Sequence, residues 1–116
     1  MNVEELRDYC LNKTGVSESF PFDQNTFVFK VGTKMFLLFN LDNFTSFNVK
    51  CDPEYEIELR EKFTAVQPGF HMNKKHWNTV SIDLDVHDKT LFDMVDHSYD
   101  CVVKSMTKKE RIENSL

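Results

Sequence analysis

The sequence predicts a single α+β domain over residues 1–116, a two-layer sandwich in which helices pack on one face of an antiparallel β-sheet. Segments with helical spacing of apolar residues and segments with strand-like alternation follow one another as a helix, three strands, a helix, a strand and a helix. A hydrophobic content of 41% in 116 residues suffices for one core. Eleven Phe against three Gly and three Pro indicate an aromatic core held in regular elements.

The first helix is predicted over residues 3–13, where apolar residues recur at helical spacing. Asn2 before it is a suitable N-cap, and Gly15 after it is a suitable end. Residues 17–23 are predicted to form an extended connection, because Pro21 disfavours helical geometry in the residue before it.

Two adjacent antiparallel strands are predicted over residues 26–31 and 34–41, since Gly32-Thr33 between them suits a type II′ hairpin turn. The second strand is apolar on both faces, which indicates a central strand covered twice or a face used for contact. Residues 46–51 alternate apolar and polar side chains, and a third strand is predicted there.

The second helix is predicted to begin at Asp52-Pro53, because Asp caps free N–H groups and Pro at the first helical position wastes no donor. It is expected to end just before Pro68. Its charged residues are predicted to face solvent: Glu54, Glu58, Arg60, Glu61 and Lys62.

A fourth strand is predicted over residues 79–84 from the alternation of apolar and polar side chains. Asp88 then opens the last helix, whose apolar residues hold one face as far as Met106. Three basic residues are expected to close this helix at the favourable end of its dipole: Lys108, Lys109 and Arg111.

The net charge of −5 argues against a plain nucleic-acid binder, because neutralising phosphates needs a basic face. Charge alternates along the chain, however. Residues 25–50 carry three Lys against one Asp, and residues 66–82 carry two Lys and no acidic residue. If these segments lie on one side of the fold, a basic face could form.

The stretch over residues 66–78 concentrates polar groups as no other part of the chain does. It holds the only Trp, two of the four His and two adjacent Lys, without an acidic residue. Pro68-Gly69 predicts a turn in which Gly accepts a positive φ. Most of these polar groups are hydrogen-bond donors, which suits an anion or the polar groups of a partner. The stretch therefore indicates contact more than catalysis.

Four segments and the hairpin ending at Leu41 carry a resemblance to a known family. The segments are 18–23 (ESFPFD), 50–53 (KCDP), 66–80 (VQPGFHMNKKHWNTV) and 96–100 (DHSYD). In order and spacing they resemble the MmcQ/YjbR family of small bacterial proteins. The resemblance implies a CyaY-like (frataxin-like) fold and a DNA-binding role through a double wing of hairpins.

With DNA as the implied partner, the leading interpretation is a non-enzymatic binding module without a cofactor. Its lysines are expected to contact phosphates weakly and with little sequence preference, because an ammonium on a flexible stem carries charge without base-reading geometry. The expected contact residues lie in the 66–78 stretch and beside the predicted hairpin turn: Lys30, Lys34, His71, Asn73, Lys74, Lys75, His76 and Trp77.

Other interpretations remain open. Trp77 and His71 could serve packing alone, filling a core edge or binding backbone carbonyls. A frataxin-like protein- or divalent-metal-binding module is the second functional alternative, using acidic residues around the last helix: Asp83, Asp85, Asp88, Asp93 and Asp96. No metal site is predicted from the His residues, because His71 and His76 do not share the four-residue spacing of a helical pair. An enzyme comes third, with Cys51 before a helix start as its candidate nucleophile.

Location and assembly are predicted from what the chain contains. Its N-terminus is acidic where a signal peptide is basic and apolar, and no apolar stretch approaches the length of a membrane span. A cytoplasmic monomer without a membrane partner is therefore expected. The three cysteines, Cys10, Cys51 and Cys101, are widely spaced in apolar patterns and are expected to be reduced core thiols.

Overall fold

The computed structural model describes residues 1–69 and 72–116 and confirms the predicted α+β architecture. The sheet has six strands in the order β1-β2-β3-β4-β6-β5, and every neighbouring pair is antiparallel. In chain order the elements are α1 (Val3–Leu11), β1 (Val16–Ser19), β2 (Thr26–Val31), β3 (Lys34–Asn40), β4 (Ser46–Lys50), α2 (Pro53–Lys62), β5 (Val66–Pro68), β6 (Trp77–Ser81), α3 (Asp88–Ser105) and α4 (Lys108–Glu113). Within the described ranges, no helix is long and apolar enough to cross a membrane.

The helices pack on one face of the sheet. Phe29, Leu37 and Phe47 point to that side and are fully buried in a core shared with α1 and α3. The opposite face is called the open face below. Strand register places these residues on it: Thr26, Val28, Lys30, Met35, Leu38, Asn40, Asn48, Lys50, Trp77 and Thr79. Strand β3 is apolar on both faces because its side chains pack into the main core on one side and into a small cluster on the other.

The hairpin between β2 and β3 forms as predicted. Val31 pairs with Lys34 across Gly32-Thr33, and Gly32 has a φ of 61°. Thr33 does not share the positive φ, which distinguishes the type II′ turn from type I′. Local turn chemistry was therefore sufficient to locate this connection.

The structure corrects the predicted connection over residues 17–23. Its first part belongs to β1, an edge strand that pairs Val16 with Val31 and Ser19 with Val28. The extended conformation was right, but the pairing was missed because four residues with three polar side chains show too little alternation to indicate a strand.

The second helix is shorter than predicted. It ends at Lys62, and Phe63 is extended, with φ −124° and ψ 127°. The chain beyond it is held by Asp85, whose carboxylate accepts the backbone N–H groups of Thr64 and Ala65 at 2.7 and 2.8 Å. The residues predicted to finish the helix instead form the edge strand β5.

The predicted fourth strand is β6, which begins two residues earlier than expected, at Trp77, and ends at Ser81. The predicted last helix is two helices. Met106 is extended, and Thr107 caps a new helix by a capping box with Glu110. The capping box over residues 107–110 was missed in the sequence because helical spacing on both sides of it predicted one continuous helix.

Ser98 of α3 joins β3 and β4 where their direct pairing ends. Its buried Oγ donates to the carbonyl oxygen of Phe36 and accepts the backbone N–H of Lys50 at 2.8 Å. Both backbone groups lie just beyond the last direct pair of β3 and β4, and α3 supplies the partner that the neighbouring strand does not. The bridge fixes the backbone of Lys50 at the end of β4.

Candidate functional site

Arg60 of α2 holds the loop between β5 and β6. Its Nε donates to Oδ1 of Asn78 at 2.9 Å, and its Nη2 donates to the carbonyl oxygens of Lys74 and Trp77 at 2.6 and 3.3 Å. The prediction that Arg60 faces solvent was wrong: its side chain is 22% exposed. On α2 alone, the Arg60 side chain would point to solvent. It faces this loop because β5 and β6 pack beside the helix.

Glu56, one turn earlier on α2, is buried and forms an ion pair with Arg60 at 3.4 Å. Burial raises the pKa of the Glu56 carboxyl, while the positive charge of Arg60 opposes that rise. Within the described part of the chain, its Oε2 accepts no hydrogen bond. Arg60 is therefore the main group that compensates the buried charge.

Asn73 shapes the exposed end of the same loop. Its Oδ1 accepts the N–H of Lys75 at 3.0 Å, and its carbonyl oxygen accepts the N–H groups of His76 and Trp77. The side chains of Lys75 and His76 are exposed. His71, also expected to contact a partner, lies outside the described residues.

Two residues of this loop serve roles other than those predicted. The Nζ of Lys74 donates to the carbonyl oxygen of Gly69 at 3.0 Å, so this ammonium supports the loop. Gly69 does not share the positive φ of Gly15 and Gly32. An added Cβ at Gly69 would lie 2.9 Å from the Cβ of Trp77, so close packing requires this glycine and turn geometry does not.

Trp77 lies on the open face, where it packs with Val28 and Leu38 and is 5% exposed. The Nζ of Lys50 lies 5.7 Å from the centroid of its ring. A ring this buried offers little area for stacking with a base. The geometry favours the packing role for Trp77, with the indole as a support for the Lys50 ammonium.

A basic cavity of about 410 Å³ lies on the open face at the end where the β2–β3 hairpin turns. No acidic residue of the described chain lines it. The lining residues are Pro21, Phe22, Lys30, Thr33, Lys34, Met35, Lys50 and Trp77. Lys34 contributes less charge than its position suggests, because its Nζ lies 3.4 Å from Ser105 Oγ and 3.9 Å from Glu110. Lys30 and Lys50 have no acidic partner among the described residues, so their charge is available to a ligand.

A second cavity of about 370 Å³ adjoins the first and shares Lys50 with it. It lies where α2 begins and α3 ends. Its lining residues are Lys50, Cys51, Asp52, Pro53, His76, Cys101, Lys104 and Ser105. Two lysines that the sequence interpretation did not select, Lys50 and Lys104, thus continue the cationic lining beyond the hairpin, where Asp52 adds one carboxylate. For Lys50 the signal was available, since it stands on the polar side of an alternating strand.

The two cysteines beside this second cavity lack the lowered thiol pKa of a reactive cysteine. Burial raises the pKa of the Cys51 thiol to about 12, and burial also raises the pKa of Cys101. His97 Nε2 lies 3.3 Å from Cys101 Sγ and accepts the backbone N–H of Asp52 at 3.1 Å. Burial lowers the pKa of His97, which favours the neutral ring that this hydrogen bond needs. These contacts support a core thiol at Cys51 and a structural histidine at the start of α2. Cys101 is half-buried and lines the cavity, so the prediction of a core thiol was wrong for this residue.

Four of the five acidic residues considered for metal binding have structural partners. Besides Asp85, which holds the end of α2, Asp88 binds the N-terminal ammonium at 2.8 Å and Asp93 lies 3.8 Å from Lys89. Asp96 accepts hydrogen bonds from Tyr9 and Lys13. Across residues 1–69 and 72–116, no group of three His, Cys, Asp or Glu side chains could hold a metal ion.

Comparison with known proteins places this architecture in a family. The family model described as YjbR matches residues 11–101. In Escherichia coli, the uncharacterized protein YjbR is 31% identical over 96% of this chain and 95% of its own length. The uncharacterized protein YbdF of Escherichia coli is 32% identical over 93% of this chain and 89% of its own length.

Solved structures agree with these matches. The crystal structure of a Deinococcus radiodurans protein with the domain DUF419 has a TM-score of 0.93 at 38% identity, covering 99% of this chain and 88% of that one. The crystal structure of a Pseudomonas syringae protein has a TM-score of 0.72 at 25% identity, covering 87% of this chain and 98% of that one. The family model, the two relatives and these structures together show that the chain belongs to the YjbR family.

Proposed function

We propose that this protein is a non-enzymatic binding module that holds the phosphate backbone of DNA against its open face, with Lys30 and Lys50 as the principal contacts. The observation that carries the proposal is the basic cavity on the open face, whose described lining includes both lysines and no acidic residue. In a chain of net charge −5, such a surface attracts an anion locally although the molecule as a whole repels one.

The sheet topology supports an extended anion in preference to a small one. Lys50 pairs with Trp77, and Leu37 pairs with Val49, so the β2–β3 turn and the β5–β6 loop lie at the same end of the sheet. The two hairpins therefore flank the end of β4 that carries Lys50. Beyond Lys50, the surface continues to His76 and Lys104 along the adjoining cavity.

These contacts suit backbone binding with little sequence preference. An ammonium contributes charge but lacks the fixed geometry by which Arg reads a base edge. Lys75 adds an exposed charge on the β5–β6 loop, whereas the ammonium of Lys74 is engaged with the carbonyl oxygen of Gly69. Binding should therefore weaken steeply as salt rises, because counterions released from each neutralised phosphate drive it.

The test is anisotropy of labelled DNA at several salt concentrations for the wild type and the double variant Lys30→Gln/Lys50→Gln. Loss of two phosphate contacts should reduce the slope of log affinity against log salt by about 2. The matched control, Lys89→Gln/Lys109→Gln, removes the same charge from ammoniums that are almost fully exposed beside Asp93 and Glu113. The control should keep the wild-type slope. Equal losses in both variants, or no salt-sensitive binding by the wild type, would overturn the proposal.

A further inference from the structure

Phe22 is an exposed aromatic residue beside the basic cavity. Its side chain is 63% exposed, although large apolar side chains usually bury most of their surface. Phe20, two residues earlier, packs edge-on against Phe27 with ring centroids 4.8 Å apart. The chain after Phe22 is fixed by Asp23, whose Oδ1 accepts the N–H groups of Asn25 and Thr26 at 2.8 and 2.6 Å. Phe22 is thus presented on a structured turn.

Phe22 also lines a further cavity on the open face, of about 430 Å³. This volume falls within the roughly 300–1,000 Å³ of small-molecule sites. The lining residues are Phe22, Thr26, Leu38, Phe39, Asn40, Asn48 and Met72. None of them is charged, in contrast to the neighbouring cavity with its lysines.

The two cavities that share Phe22 therefore differ as the two parts of a nucleotide do. One offers ammoniums for a phosphate, and the other offers apolar surface and amides for a flat, uncharged base. Asn40 is oriented by the N–H groups of Asp42 and Asn43, which donate to its Oδ1 at 2.9 and 3.3 Å. Asn48 is largely committed within the sheet, since its Oδ1 accepts the hydroxyl of Thr79 at 2.6 Å. Stacking on Phe22 should thus contribute more to binding than recognition of base edges.

Resting on the proposed function, we infer that the nucleic acid on the open face is single-stranded and that one of its bases stacks on Phe22 in the uncharged cavity. Bases of a duplex are paired and stacked on one another, so they cannot enter such a cavity without being extruded. An unpaired base can do so, and aromatic rings beside a basic groove are the usual platform for single strands.

The test compares three labelled probes of equal length at low salt: oligodeoxythymidine, a duplex, and an abasic deoxyribose-phosphate oligomer that keeps the charges but lacks bases. The wild type should bind oligodeoxythymidine at least about five-fold more tightly than the abasic oligomer. Phe22→Ala should remove this preference, and Phe22→Trp should retain it. Leu84→Ala, which removes another exposed apolar side chain, should leave all three affinities unchanged. Both Phe22 variants should melt near the wild type, because Phe22 is largely exposed.

The outcomes separate this inference from the proposed function. If the duplex or the abasic oligomer binds as tightly as oligodeoxythymidine, or if Phe22→Ala keeps the preference, the single-strand base site is wrong while phosphate binding through Lys30 and Lys50 stands. If no probe binds in a salt-sensitive way, both ideas fail. A base preference that Phe22→Ala abolishes and Phe22→Trp keeps supports the inference.

Discussion

Replacing Phe39 by Ala is expected to lower the free energy of unfolding by about 3–5 kcal/mol. Phe39 is 1% exposed and lies at the centre of an aromatic group, with ring centroids 4.9 Å from Phe44, 5.4 Å from Phe27 and 6.2 Å from Phe29. Truncation removes buried area and leaves a cavity that rings in a β-sheet core can fill only in part. Since the free energy of unfolding of a small domain is only about 5–15 kcal/mol, this substitution removes a large share of it.

Urea denaturation of the wild type and the variant measures this loss. Phe22→Ala is the matched control, because it makes the same substitution at a largely exposed ring on the open face. It should change the unfolding free energy by no more than about 0.5 kcal/mol. Similar losses for the two variants would show that Phe39 is not the buried core residue described above.

Replacing Arg60 by Ala should cost about 3–5 kcal/mol, the range for removing one partner of a buried ion pair. The variant loses the hydrogen bonds to Asn78, Lys74 and Trp77 and leaves the Glu56 carboxylate buried without its cation. Arg60→Lys should recover only part of this loss, since an ammonium cannot reproduce the fork that reaches three acceptors. Arg111→Ala, on the exposed side of α4, is the control and should be near neutral.

The loss in Arg60→Ala should depend on pH, and thermal melts at about pH 8 and about pH 5 measure this. Burial raises the pKa of Glu56, and removing the Arg60 charge raises that pKa further. For a carboxyl with a raised folded pKa, the cost is full above that pKa and is relieved as pH falls through it. The variant should therefore lie closer to wild type at the lower pH. If the loss is the same at both pH values, the role given to Glu56 is contradicted. It is also contradicted if adding Glu56→Gln to Arg60→Ala restores stability at neither pH.

Elements with strong local chemistry could be predicted from the sequence. Gly32-Thr33 located a hairpin because a positive φ at one Gly determines its geometry. Asp52-Pro53 located the start of α2 because the Asp52 side chain accepts a free N–H and Pro53 has no N–H to leave unpaired. The family resemblance predicted from the sequence was likewise confirmed by the YjbR family match. Edge strand β5 was missed because its pairing with β6 outweighs the helical periodicity that continues past Phe63.

The candidate site was harder to predict because its charges depend on neighbours that are distant in sequence. Lys34 and Lys74 look as free as Lys30 in the sequence, but Glu110 and the Gly69 carbonyl lie beside their ammoniums in the fold. Arg60 looks solvent-facing until the β5–β6 loop packs against it. Lys50 becomes central only when strand register places it between two cavities.

The most direct test of the central claim, that the open face is the functional surface, is to map where DNA touches the protein. Amide chemical shifts of the isotopically labelled wild type would be followed while a short DNA is added at low salt. The largest changes are expected around Lys30, Met35, Lys50 and Trp77, with the exposed side of α4 unaffected. Changes confined to the helices, or no change at a concentration where anisotropy reports binding, would contradict the assignment of this face.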